Sequence, residues 1–341
     1  MPITIIEVAK AANVSVSTAS LAIRDNAGPV ATKTREHIRR VAKKLGYRPN
    51  LRGRALRQGI NHVIAIGVPD RVRKIYHDPY FSELIEGAIR ATDTQEFSLT
   101  FPMIHFDTVD DENGPLDKQR IDGLAILAPA LDDPVMEKLS NLSLPLVLIG
   151  RRHDYPEIPW VDTDNYQVTK KMIKLMIERG IRRIAFIKST NNYQCSLDRM
   201  HGYYDMLKES GIEPKQEDIY EVEISVPGGF RAVKEILKQK ELPGGIFCCH
   251  SMIAEGAFWA LKQAKIEIPH ELALATFDEP SFASYSIPTI TAILQPVAEI
   301  GELAVKLLLD QIMGGVSHND ILSIPEQERT INSKIILRSS I

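Results

Sequence analysis

The chain has 341 residues, is 44% apolar and carries a formal net charge of -3, values ordinary for a globular protein of two or three domains. It lacks the run of about 18 apolar residues that a membrane-spanning helix needs, and Met1-Pro2-Ile3-Thr4 lacks the charged flank and apolar stretch of an export signal. Its three cysteines, Cys195, Cys248 and Cys249, have no CxxC spacing, which argues against a disulfide framework and a zinc site.

The expected setting is therefore the cytoplasm, with no metal and no cofactor. The net charge hides an asymmetry. Residues 1–60 hold twelve Lys and Arg against three acids, a surplus of nine, while the remainder is in deficit by twelve. A basic head on an acidic body is the electrostatic footprint of a polyanion-binding module attached to something else; the plain alternative is a solvated basic surface.

Three short helices are predicted in the head. Thr4 followed three residues later by Glu7 is a capping box for the first, which runs to about Asn13, a residue that tolerates the left-handed backbone of a sharp turn. Ser15 caps a second helix from Val16 to about Arg24. Two helices joined so tightly make a helix-turn-helix. Ala19 and Ile23 are spaced to face inward, whereas Ser17, Leu21 and Arg24, with Ser20 beside them, form a stripe that burial does not require. That stripe, with Val16 at the helix start, is the candidate reader of base edges. The third helix, about Thr34 to Leu45, alternates an apolar face (Ile38, Val41, Ala42, Leu45) with a basic one carrying Arg35, Arg39, Arg40, Lys43 and Lys44, and Gly46 stops it. Residues 48–60 read either as a short basic helix that orders on a partner, with Leu56 as an apolar wedge for a minor-groove step, or as a flexible basic linker.

From residue 61 the pattern changes. Val63–Val68, Leu124–Leu127, Leu146–Ile149, Ile184–Ile187, Ile246–Cys249 and Leu272–Phe277 are short continuous apolar runs, as strands buried on both faces require. Helical stretches alternate with them, at about Tyr80–Thr92, Tyr166–Arg179, Met200–Ser210, Gly229–Gln239 and Met252–Ala264. The class is α/β with doubly wound parallel sheets, and two such series, divided near residue 161, predict two lobes. A cleft at the carboxyl ends of the strands is the default ligand site, so the residues just past each strand are candidates: Arg151, Asp164 and Asp278.

The stretches Thr4-Ile5-Ile6-Glu7-Val8-Ala9-Lys10, Val14-Ser15-Val16-Ser17-Thr18-Ala19-Ser20 and Lys44-Leu45-Gly46-Tyr47-Arg48-Pro49-Asn50 resemble the lac repressor family of bacterial regulators. The likeness covers essentially the whole chain and is most specific over residues 4–57. It implies a helix-turn-helix domain (1–47), a hinge helix or linker (48–60) and an effector-binding core shaped like a periplasmic sugar-binding protein. The first lobe of that core would be 61–161 with 294–325, and the second 162–293 with 326–341, the chain crossing back near Leu294, adding a helix at Ala298–Met313 to the first lobe and ending as a strand, Lys334–Arg338, in the second. By position, the resemblance implies DNA contacts from Thr4, Ser15, Val16, Ser17, Thr18, Ser20, Thr34, Tyr47, Asn50 and Leu56. It also implies effector contacts from Tyr80 and Phe81 and from Arg199, which lies in an Arg-x-x-Gly-aromatic element.

Two departures stand out. Many members carry Arg where this chain has Leu21; Leu can touch a thymine methyl but cannot bond guanine. Where many carry Asn-Asp this chain has His250-Ser251, so a carboxylate that grips a sugar hydroxyl is missing, and His250 beside it can donate or accept. The resemblance implies a homodimer on double-stranded operator DNA, with a small, carbohydrate-related effector. A coiled-coil tail for a tetramer is not evident. No GxGxxG, P-loop, HExxH or GxSxG element supports catalysis, so no catalytic residue is expected. The remaining rival is a solute-binding receptor, which would have no use for the basic head.

Overall fold

The computed structural model describes residues 3–24, 30–47, 59–70, 78–93, 95–109, 114, 116–117 and 120–341. These form two compact units, Met1–Asn61 and His62–Ile341.

The first unit is a helical trio: α1 (Ile5–Ala11), α2 (Val16–Arg24) and α3 (Thr32–Lys44). Thr4 and Glu7 form the reciprocal capping box that their spacing predicts, and Asn13 takes up φ 53° to turn the chain into α2. Ser15 Oγ accepts from the Thr18 N–H at 3.1 Å and so caps α2. Val8, Ala9, Ala12, Ala19, Ala22, Ile38 and Ala42 fill a small core in which alanines let the helices approach closely. Arg35 departs from its expected place on the solvent face of α3. It is buried and donates to the Val30 carbonyl at 2.9 Å, its stem covering the core while its head ties down the chain entering α3. Arg39 does similar work, donating to the Ala22 carbonyl at 3.0 Å at the end of α2.

The second unit has two sheets. The first runs in the order β2 (Ser98–Thr100), β1 (Val63–Pro69), β4 (Gly123–Leu127), β5 (Leu146–Ile149), β6 (Trp160–Val161), with β3 (Met103–Ile104) pairing β1 past β2. All its strands are parallel. Helices α4 (Pro79–Asp93) and α5 (Val135–Ser140) belong to this first lobe. The second sheet runs in the order β12 (Lys334–Ile336), β11 (Thr291–Leu294), β10 (Ala273–Phe277), β9 (Gly245–Cys248), β7 (Ile184–Ser189), β8 (Ile219–Val222), parallel except for β12. It carries α6 (Asn165–Glu178), α7 (Gln194–Glu209), α8 (Val226–Ile236) and α9 (Ser251–Gln263). After β11 the chain returns to the first sheet as α10 (Val297–Ile312), which packs on α4, β4 and β5. It then passes through α11 (His318–Ser323) and α12 (Glu326–Arg329) to β12.

In each sheet the winding direction reverses once, between β1 and β4 and between β7 and β9. These are the switch points at which doubly wound sheets open a crevice. Glycines set the helix contacts in both lobes. A Cβ on Gly87 of α4 would lie 1.8 Å from the Ala298 carbonyl oxygen of α10, and one on Gly229 of α8 would lie 1.9 Å from that of Ile253 in α9. Bare backbone therefore meets bare backbone at both crossings.

Candidate functional site

Two surfaces collect the candidate residues. On the head, the start of α2 is open. Val16 is 44% and Leu21 36% exposed, unusual for apolar side chains on a helix whose neighbours Ala19 and Ala22 are fully covered. Ser15 and Ser17 are exposed, and Ser15 Oγ lies 2.8 Å from Ser17 Oγ and 2.7 Å from Thr18 Oγ1. Ser20 is half-buried on the same helix. Hydroxyls that can both donate and accept, interleaved with apolar side chains, suit base edges and thymine methyls. Thr4 is exposed at the start of α1 and Thr34 half-buried in α3, while half-buried Tyr47 packs against the head's core. The Arg24 side chain, Asn50 and Leu56 lie outside the described residues.

The second surface is the crevice between the lobes. A cavity of about 300 Å3 is lined by Asp78, Tyr80 and Glu83 from the start of α4, Ser251 from the start of α9, and Asp278 and Tyr285 from the loop after β10. Such a volume is at the small end for small-molecule sites. A larger open hollow of about 430 Å3, along Lys262, Lys265 and His270, lies at the other end of α9, away from the crevice.

Behind the cavity sits Arg199 of α7, only 6% exposed. Its Nε donates to Asn165 Oδ1 at 2.9 Å and one terminal nitrogen to the Cys249 carbonyl at 2.7 Å, while its plane lies 3.4 Å from the centre of the Phe277 ring. Three of the residues fixing it come from different elements, so the guanidinium is held rigidly. Asp278, at φ 61°, accepts from the Gln295 side chain. Burial first, then the carboxylates of Asp162 and Asp278, push the Tyr80 phenol well above its ordinary value of 10.0, so it is a neutral hydroxyl at any physiological pH. The same surroundings push the Cys195 thiol to about 11 and the Cys249 thiol to about 12, in each case mainly through burial, and leave neither a thiolate nucleophile.

The mouth is acidic. Glu279 pairs with Arg338, and Asp78 with His250. Burial alone would raise the Asp78 carboxyl, but the hydrogen bonds from His250 and the Tyr80 N–H outweigh it and hold Asp78 below its ordinary range. Among the described residues no cation pairs with Glu83; burial raises it, and nearby Asp278 and Glu86 raise it further.

At the crossing between lobes, Asp162 accepts from the Thr163 N–H at 2.7 Å and the Arg151 N–H at 3.1 Å, and Asn165 Nδ2 approaches both of its oxygens. Burial raises its carboxyl from the ordinary 3.8 to about 6. The folded chain thus holds this proton more tightly than the unfolded one. The stabilisation is complete below about pH 4 and is lost as pH rises through about 6. Asp162→Asn is expected to flatten the stability profile between about pH 4 and 6, as urea titrations at a series of pH values would register. A slope unchanged from wild type would assign the proton elsewhere.

Of the residues expected to meet an effector, the fold gathers Tyr80, Arg199, Asp278 and His250 around the crevice. It leaves three aside. Phe81 is 3% exposed and packs edge-on against Phe101, because it falls on the core face of α4 one position from Tyr80. Arg151 makes a two-pronged pair with Glu326, at 3.1 and 2.6 Å, and stacks on Trp160 at 4.6 Å. Asp164 is exposed and caps α6, accepting from the Gln167 N–H at 2.8 Å. Residues not singled out from sequence take prominent places instead: Asp78, Glu83 and Asp162. A carboxylate ahead of a Pro-initiated helix was the available signal for Asp78. Among the described residues no cluster of His, Cys, Asp and Glu could hold a metal ion, and no helix is long and apolar enough to cross a membrane.

Residues 4–50 match the family model for bacterial regulatory proteins of the lacI family, and residues 173–341 that for a periplasmic binding protein-like domain. Among curated proteins, the HTH-type transcriptional repressor CytR of Escherichia coli (strain K12) is 28% identical over 342 residues, covering 99% of this chain and 96% of its own. The HTH-type transcriptional regulator RegA of Clostridium saccharobutylicum is 28% identical over 312 residues, covering 91% and 92%. Among solved structures, the lac repressor dimer bound to operator and the anti-inducer ONPF has a TM-score of 0.81 at 20% identity, covering 100% of this chain and 99% of that one. The complex of the transcriptional regulator CelR with cellobiose has a TM-score of 0.71 at 23% identity, covering 99% and 100%. At these identities the two structures speak to the fold alone.

Proposed function

Because the chain belongs to the lacI family of bacterial regulatory proteins, we propose that it is a sequence-specific DNA-binding transcription regulator, acting as a repressor, whose operator affinity is set by a small molecule between the lobes of its core. The observation that carries this reading is the head. A capped helix-turn-helix with surplus positive charge leaves Val16, Ser17 and Leu21 uncovered at the start of its second helix. In this mechanism Lys and Arg of the head neutralise phosphates and fix the register, and the α2 edge reads the bases. Two chains pair so that two heads meet two half-sites. The hinge segments wedge Leu56 of each chain into the central step, and the effector acts through its different affinity for the two arrangements of the lobes. The protein works in the cytoplasm and performs no catalysis.

The crevice narrows the effector class. Tyr80 and Arg199 can donate to hydroxyls, and Asp278 can accept from them, whereas Glu83, which no cation pairs with among the described residues, opposes a carboxylate or phosphate at the mouth. A neutral polyhydroxyl compound of about monosaccharide size fits the cavity, of the same class as the cellobiose in the CelR complex but smaller.

Salt titration tests the central claim. Binding of the full chain to promoter duplexes should fall by orders of magnitude between about 50 and 200 mM salt if several phosphates are contacted, as fluorescence anisotropy would read. A chain that binds the duplex equally at both concentrations, or as well without residues 1–60, is no DNA regulator, and the solute-receptor reading replaces it.

A further inference from the structure

We propose that Asp78 and His250 form a latch between the two lobes that sets how far the crevice closes. The proposal rests on reading the core as a receptor with movable lobes.

Asp78 belongs to the first lobe and His250 to the second, yet His250 Nε2 lies 3.1 Å from Asp78 Oδ2, with side chains 14% and 9% exposed. Each residue also serves its own helix. Asp78 Oδ1 accepts from the Tyr80 N–H at 3.0 Å in the first turn of α4, and His250 Nδ1 accepts from the Met252 N–H at 3.2 Å in the first turn of α9. The second bond fixes the imidazole. A nitrogen that accepts a backbone N–H carries no proton, so the proton of the neutral ring is on Nε2, aimed at Asp78. The link is therefore a hydrogen bond to a carboxylate that requires no charge on the histidine. It joins the N-caps of two helices from opposite lobes, so the lobes cannot separate without unsatisfying groups that are largely shielded from water.

This double duty supplies a clean test. Asp78→Asn keeps an oxygen for the Tyr80 N–H but turns an amide N–H toward His250 Nε2–H, so that donor meets donor. His250→Asn keeps a good N-cap for α9 but is too short to span to Asp78. Both variants spare the helices and remove the latch. Spin labels at Glu137→Cys in α5 and Lys208→Cys in α7, both exposed positions, would report the lobe separation in the full-length, ligand-free chain, with the half-buried Cys195 replaced by Ser. Double electron–electron resonance should show the ratio of long to short distances rising about tenfold in each single variant, the scale of one hydrogen bond to a charged group. The double variant should open no further than either single one, because both remove the same bond. Unchanged distances in either single variant, or opening in the double variant equal to the sum of the two, would overturn the latch. DNA binding is not read in this experiment, so a salt-sensitive DNA binder with unmoved lobes would lose the latch and keep the proposed function.

Discussion

Arg199→Ala is expected to abolish the thermal stabilisation that an effector confers and to lower the stability of the free core by about 3 kcal/mol, the scale for exposing unpartnered buried polar groups. The truncation strips the Asn165 side-chain oxygen and the Cys249 carbonyl of donors inside a closed region and uncovers the Phe277 ring. It also removes the nearest positive charge from Asp162, so the acid-side stability of that carboxylate grows. Arg199→Lys keeps the charge but not the fork. A single ammonium cannot reach Asn165 and Cys249 while lying flat on Phe277, so the variant should recover only part of the loss. Differential scanning calorimetry with and without a panel of neutral sugars separates the two effects. DNA binding by the effector-free chain should stay as salt-sensitive as in wild type. A variant that melts like wild type and still responds would remove Arg199 from both roles.

Gly87→Ala should be more damaging, at about 3 kcal/mol or above, because overpacking against backbone has no side-chain rotamer to relieve it. The new Cβ would fall 1.8 Å from the Ala298 oxygen, and the reciprocal Gly301 of α10 is equally tight, 2.3 Å from the Leu84 oxygen. The helices would have to part, and α4 carries Asp78, Tyr80 and Glu83 at its start, so the crevice would be lost with the packing. Gly229→Ala should behave alike in the second lobe. Gly46→Ala is the control: φ is +68° with nothing within 4 Å, so only backbone strain of about 1–2 kcal/mol applies, and only to the head. Urea midpoints rank the three, and a Gly87→Ala midpoint at the wild-type value would mean that α4 and α10 do not touch through their backbones.

Much of the fold is written in local pattern. The apolar runs of β1, β4, β5, β7, β9 and β10 stand out because parallel strands are covered on both faces. Asn13 is legible as a left-handed turn because few residues tolerate that backbone. What escaped has physical causes. β2, β3, β6 and β8 have two to four residues each, too few for a period to register. Helix α7 begins at Gln194, six positions before its apolar pattern suggests, because residues 194–198 of its first turns are only half-buried and carry no apolar period. Asp278 was found by its place just past a strand end, and Tyr80 and Arg199 through the family resemblance. Asp78 was not, since its partner His250 lies far along the chain, nor was Asp162, whose burial no local pattern signals, and Arg151 and Asp164 look alike from sequence whether they face a ligand, an ion pair or a helix end. Arg35 read as solvent-facing because a charge in an amphipathic helix gives no hint that its stem covers a core.

The order in which the chain is synthesised has a consequence at the contact between α4 and α10. The head, and then the whole series β7 to β10 with its helices, are synthesised before residues 297–312 exist. Until then the α4 surface around Gly87 has no helix to receive it, so the lobe that begins first stays unfinished while most of the second is being made. A growing polypeptide of this kind carries an uncovered helix face through most of its synthesis, which makes its first half the natural client of a holding chaperone during translation.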